Sequence, residues 1–203
     1  MRAATDDIVV TGTFQLLGEE RVFAGAVFDV VRATFRAPDG EEFDRDIVRA
    51  KDAVAVIAVA PPDHRNAADA EARLVFVSQF RPAVGRVVLE LPAGLCDVAD
   101  EPVEVTGHRE LIEEAGLDAV HVEVLTTVLP QPGQTSARHT LLLATDCRRV
   151  DQELHGPEER HLEVVELTLS EAVAGVERGD IVDAKSVIGV LLAARRLSPA
   201  PLP

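Results

Sequence analysis

Four carboxylates crowd one short stretch of this sequence: Glu101, and then Glu110, Glu113 and Glu114 within Arg109-Glu110-Leu111-Ile112-Glu113-Glu114-Ala115-Gly116-Leu117. On an α-helix Glu110 and Glu114 share a face one turn apart, with Glu113 beside them, and Arg109 can pair with Glu113 four residues on. Converging carboxylate oxygens are what a hard cation such as Mg²⁺ takes, and a helix holds them at fixed spacing. The alternative is an ordinary solvated face, since a like-charge pair at this spacing costs only about 0.2–0.5 kcal/mol. The residues upstream favour the metal. Glu90-Leu91-Pro92-Ala93-Gly94 reads as a strand end entering a tight turn, followed by a loop with Asp97, Asp100 and Glu101. Such a turn can offer a main-chain carbonyl to a metal and main-chain N–H groups to phosphate.

The surrounding elements must hold this helix in place. Residues 1–50 read as a small antiparallel strand unit, in which Val22 to Phe35 is rich in Val, Phe and Ala and Ala37-Pro38-Asp39-Gly40 is a turn. A ribbon of that size buries too little to stand alone and must pack on the rest of the chain or on a second copy. Residues 51–203 form the main domain. Strands are expected at Ala53–Ala60, Leu74–Phe80, Val87–Leu91, Val122–Leu129, His139–Thr145 and Val164–Leu167. The carboxylate helix is expected from about Pro102 to Ala115, with Pro102 tolerated in its first turn and Gly116 just past its end. Two more helices follow, Leu169–Glu177 and Asp183–Arg196, the second with Val187, Ile188, Leu191 and Leu192 as an apolar stripe. Mixed strands with few helices give an α+β class, as a layered α/β/α domain.

Composition bounds the partners. Hydrophobic residues at 47% and charged residues at 27% describe a folded chain. A formal charge of −15 excludes a grip on nucleic acid, which needs basic surface to displace counterions. It leaves room for a small phosphorylated substrate, because a bound cation reverses the local field. There is no signal-peptide pattern at the start and no apolar run of membrane-spanning length, which reads as a soluble cytoplasmic protein. Cys96 and Cys147 are too few for a thiolate metal motif, and two free thiols is a plainer reading than a single bridge.

Gly94, Glu101, Arg109-Glu110-Leu111, Glu113-Glu114 and Gly116-Leu117 together resemble the signature of the Nudix hydrolases: Gly, a spacer, Glu, seven residues, then Arg-Glu-apolar-x-Glu-Glu-x-Gly-apolar. The match is complete from Glu101 onward, while six residues instead of five separate Gly94 from Glu101. Gln79-Phe80-Arg81 and Leu89-Glu90-Leu91-Pro92-Ala93-Gly94 are similar to the pattern of the ADP-ribose pyrophosphatase branch. The N-terminal ribbon, with Phe28-Asp29-Val30 and Asp46-Ile47-Val48-Arg49, resembles that branch too, where it is commonly exchanged or packed across a homodimer.

The resemblance implies a Nudix α/β/α sandwich with a mixed sheet, and Mg²⁺, with Mn²⁺ as a substitute, held by Glu110, Glu113, Glu114 and the main-chain oxygen of Ala93. Arg109 would organise the glutamates. Glu113 and Glu114 would serve catalysis as well, and a loop carboxylate, Glu159 or Glu158, would help to activate water. For these two the ordinary solvated loop stands as the equal alternative. Arg81 is the leading substrate contact, through bidentate hydrogen bonds to phosphate. Arg49 and Phe28 follow, the latter with a core position as its alternative. The implied reaction is hydrolysis of ADP-ribose to AMP and ribose 5-phosphate. Ala50-Lys51-Asp52, where the branch often has His-Pro-Gly, and a loop at Gln134–Arg138 without its usual acidic residues keep two alternatives open. These are another nucleoside diphosphate sugar, or a non-catalytic nucleotide-binding module.

Overall fold

Ala53–Ala60, an unbroken apolar run, has the pattern of a strand covered on both faces, and the structure covers both. In the computed structural model, which describes residues 13–62, 71–152 and 160–197, side chains alternate across a seven-stranded mixed sheet. Val54, Val56 and Ala58 join Val75, Leu142 and Ala144 in one core layer with Leu111 and Ala115. Ala55 and Ile57 join Leu74, Phe76, Leu141 and Leu143 in the opposite layer with Ala172, Val190 and Ala193. The result is the expected α/β/α layering.

The chain divides into two compact units. The first holds residues 1–50 and returns at residues 131–137. It is a three-stranded antiparallel sheet of β1 (Gln15–Ala24), β2 (Phe28–Arg36) and β3 (Glu42–Ala50) in that order. The segment from Val22 to Phe35 spans two strands, because the chain turns at Gly25, whose N–H donates to the carbonyl of Phe28 at 3.0 Å. Ala37–Gly40 is the expected turn, with Gly40 at φ +93°. Residues 131–137 are stitched to β3: the Val48 N–H donates to the Gln134 carbonyl at 2.8 Å and Ser136 N–H to the Val48 carbonyl at 3.3 Å.

The second unit holds residues 51–130 and 138–203. Its strands are β4 (Ala53–Val59), β5 (Arg73–Arg81), β6 (Arg86–Glu90), β7 (Ala93–Leu95), β8 (Leu117–Val128), β9 (His139–Arg149) and β10 (Glu163–Thr168). Their backbone is ordered β10-β5-β4-β9-β8, with β4 and β9 parallel. β4 and β5 pair only at Ala58–Val75 and Val59–Leu74 and then diverge. The gap takes in β6, paired with β5, and β7, paired with β4. Ala93–Leu95, expected as part of a turn, is thus a short strand opposite Ala53–Ala55, recruited by the free edge that the splay leaves.

Three helices complete the unit: α1 (Val103–Ala115), α2 (Leu169–Arg178) and α3 (Ala184–Leu197). α2 opens on a capping box between Thr168 and Glu171. α1 ends at Gly116 with φ +60°, its N–H on the Ile112 carbonyl at 3.1 Å. Among the described residues no helix is long and apolar enough to cross a membrane. Cys96 and Cys147 are free thiols, and burial pushes the Cys147 thiol up to about 11.

A side chain at position 116 would meet both the left-handed backbone penalty and the Val150 carbonyl 2.9 Å from its Cβ. Gly116→Ala is therefore expected to destabilise the protein by about 1–2 kcal/mol, read from the midpoint of a urea melt.

Candidate active site

α1 lies against the β4–β7 edge, and the side chains it sends there are charged. Leu111 and Ala115 anchor the helix in the core, and the next positions round the cylinder, Glu110 and Glu114, are buried with them, only 9% and 6% exposed. This rules out a solvated face for the pair. The Ala93 N–H donates to Oε2 of Glu114 at 2.9 Å, so the turn before the helix and the helix itself meet through one hydrogen bond. At Gly94 a Cβ would stand 1.9 Å from Cδ of Glu110 and 2.2 Å from each of its oxygens. The Glu110 carboxylate occupies the space that a side chain at position 94 would take, so a larger residue there would displace it.

Arg109 is the cation of this cluster. Its Nη1 donates to Glu110 Oε1 at 2.7 Å and to Glu113 Oε2 at 3.4 Å, its Nη2 to Glu101 Oε2 at 3.4 Å, and Asp97 Oδ1 lies 3.6 Å away. Thr106 Oγ1 donates to the same Glu101 oxygen at 2.7 Å. Burial, opposed by Arg109 and reinforced by Glu113, pushes the Glu110 carboxyl up to about 7. A buried carboxylate disfavoured in this way is short of positive charge.

The oxygens available, from Glu110, Glu113 and Glu114 and the adjacent main chain at Ala93, are the donor chemistry of a hard divalent ion. Among the described residues no three acidic, His or Cys side chains already converge on one point. Glu110 leans on Arg109 through Oε1 and Glu114 on the Ala93 amide through Oε2. The donor set and the Gly94 cradle fit such an ion.

The other sequence candidates among the described residues have partners within their own units. Arg81 forks onto Glu90, with Nε to Oε1 at 2.6 Å and Nη2 to Oε2 at 2.8 Å. Arg49 belongs to the first unit, where it donates to Glu19 Oε2 at 2.6 Å. Phe28 is in the same unit, 44% exposed and tilted against Phe23 with centroids 6.3 Å apart. Glu158 and Glu159 lie outside the described residues. His108 bonds Asp118 at 2.7 Å, and burial lowers the pKa of the half-buried His139.

Glu90 is the residue that sequence reasoning passed over. It is 3% exposed and takes the Arg81 fork on one side and the buried Lys185 ammonium on the other. Burial pushes its carboxyl up, and the bonds and charges of Arg81 and Lys185 outweigh this and hold it below the usual carboxylate range. A sequence signal did exist: Lys185 sits in the first turn of a helix, the end where the macrodipole disfavours a cation.

Comparison with known proteins agrees with this geometry. The NUDIX domain family matches residues 49–187. The chain is 36% identical over 183 residues to an ADP-ribose pyrophosphatase of Mycobacterium tuberculosis (strain ATCC 25618 / H37Rv), covering 88% of this chain and 82% of that one. It is 31% identical over 174 residues to an ADP-ribose pyrophosphatase of Bacillus subtilis (strain 168), covering 86% and 89%. A solved structure described as an ADP compounds hydrolase superposes with a TM-score of 0.75 at 23% identity, covering 91% of this chain and 94% of that one, which is a likeness of fold.

The depressed pKa of Glu90 fixes the sign of an acid effect. Its ionised form stabilises the fold above the ordinary carboxylate range, and this contribution is lost as pH falls through the lower folded value. Glu90→Gln is expected to cost about 3 kcal/mol or more at pH 7 by stranding its cations. In urea melts taken at successively lower pH, the gap between the two proteins should narrow below about pH 4. A gap independent of pH would contradict the assignment.

Proposed function

The chain belongs to the Nudix hydrolase family, and from that premise we propose that it cleaves the pyrophosphate of ADP-ribose with water, giving AMP and ribose 5-phosphate. The observation that carries the reading is the buried Glu110–Glu114 pair, packed against Ala93 and Gly94, with Glu110 bonded to Arg109 and Glu114 to the Ala93 amide. The names of the two bacterial relatives support ADP-ribose as the substrate. Another nucleoside diphosphate sugar is the alternative, on the strength of Ala50-Lys51-Asp52 and the Gln134–Arg138 loop.

Glu110, Glu113, Glu114 and the Ala93 carbonyl would hold Mg²⁺, or Mn²⁺ in its place. The ion would neutralise pyrophosphate oxygens, acidify water and stabilise the departing phosphate. Arg109 keeps like-charged carboxylates together before the ion arrives. Arg81 would contact a substrate phosphate, and Arg49 and Phe28 would contribute from the N-terminal unit. Glu159 or Glu158 would take the proton from the attacking water. The product AMP keeps one phosphate of the original anhydride and ribose 5-phosphate the other, so atoms balance with one water consumed.

We propose further that residues 1–50 act as a dimerisation element. Every residue of β1 is exposed, Leu16, Leu17, Val22 and Phe23 among them, and exposed apolar groups clustered on one strand favour a covered partner surface.

Incubation with ADP-ribose and Mg²⁺ should release AMP and ribose 5-phosphate, and Glu114→Gln should lower kcat at least a hundredfold with its circular dichroism unchanged. Near-normal rates at saturating metal would refute the site. A panel with other nucleoside diphosphate sugars separates the substrate readings. Light scattering should give twice the chain mass of 21.8 kDa, and a monomer would remove the dimer proposal.

A further inference from the structure

α3 meets the catalytic turn at three points along one face. Lys185 Nζ, with its side chain 9% exposed, donates to Glu90 Oε2 and, at 2.9 Å, to Asp183 Oδ2. Ser186, fully buried, accepts the Leu91 N–H on Oγ at 2.8 Å and donates its own hydroxyl proton to Asp183 Oδ2 at 2.6 Å. One turn on, a Cβ at Gly189 would stand 2.5 Å from Leu91 Cδ1, so the helix backbone rides directly on that side chain.

We propose that Lys185 and Ser186, braced by Asp183, are positioning residues for the Glu90–Gly94 turn. This rests on the metal-assisted hydrolase reading above. The argument runs through the backbone of that turn. Its near end, Glu90 and Leu91, is held by α3. Its middle is held by β4, where the Val56 N–H donates to the Pro92 carbonyl at 2.8 Å. The next residues are Ala93, which holds Glu114, and Gly94, which cradles Glu110. A shift at Glu90 therefore reaches both glutamates within four residues.

The energetics point the same way. A buried ion pair loses its hydration, and apolar side chains in place of both Glu90 and Lys185 would pack against the core at comparable or lower cost. α3 already docks through Val190, Ala193 and Ala194. Stability alone gives no reason for this ion pair, whose cation stands in the first turn of the helix against its dipole. Geometry gives one, because charge-assisted bonds fix direction as well as distance. With Lys185 absent, Glu90 would answer only to Arg81, whose side chain is 42% exposed and free to draw the carboxylate outward.

The test compares the wild-type protein with Lys185→Met, Ser186→Ala and Ser186→Thr. Mn²⁺ affinity without substrate is measured by electron paramagnetic resonance, alongside kcat, KM for ADP-ribose and thermal melting. Lys185→Met and Ser186→Ala should weaken Mn²⁺ binding at least fivefold and lower kcat at least tenfold, with KM within threefold. Ser186→Thr, which keeps the hydroxyl, should stay within twofold of wild type. Should Lys185→Met fail to fold, the Ser186 pair decides alone. Mn²⁺ affinity and kcat unchanged beside a lowered melting temperature would overturn the proposal and leave these residues structural. A wild-type protein that neither binds Mn²⁺ nor turns over overturns the hydrolase reading, and this inference with it.

Discussion

The splay between β4 and β5 is the constraint on which the second unit depends. Two strands that pair at Ala58–Val75 and Val59–Leu74 and then part leave buried N–H and C=O groups on both edges. Each such group left unsatisfied would cost about 1–3 kcal/mol. The chain from Arg86 to Leu95 answers them in two halves, β6 on β5 and β7 on β4. Between the halves, Leu91 and Pro92 cannot join either ladder. Their polar groups are taken by Ser186 and Val56. The turn beneath α1 is therefore fixed by the same demand that closes the sheet.

Chemistry is then concentrated where this closure is tightest. Carboxylates are cheapest in water, yet Glu110 and Glu114 are among the buried residues. Their burial works against their charge, as the raised pKa of Glu110 records. What keeps them there is the anchoring of Leu111 and Ala115 one position on, together with the Arg109 fork and the Ala93 amide. Buried carboxylates disfavoured in this sense would be stabilised by a cation that binds between them.

Much of this was legible in the residues. Alternation and turn signals marked most strands of the second unit and the antiparallel character of the first, though not the turn at Gly25, and Pro102 and Gly116 bracketed α1 within a residue. The spacing of Glu110 and Glu114 placed them on one face of α1. It could not tell a solvated face from a buried one, since helical periodicity reports direction and not what lies opposite. Ala93–Leu95 was read as turn because a three-residue strand has no periodicity to detect. The Glu90–Lys185 pair was missed for a different reason. Its partners are 95 residues apart, and one side of it looked like routine helix composition.

The first unit is not a continuous stretch of chain. Residues 131–137 belong to it as much as β3 does, held through Val48. Any recombination that exchanged residues 1–50 for those of a relative would leave this seven-residue segment facing a strand it did not evolve with. The ribbon is thus a poor cassette. Homologues can trade it only if two separated segments travel together, and divergence at Gln134–Arg138 should be inherited jointly with divergence along β3.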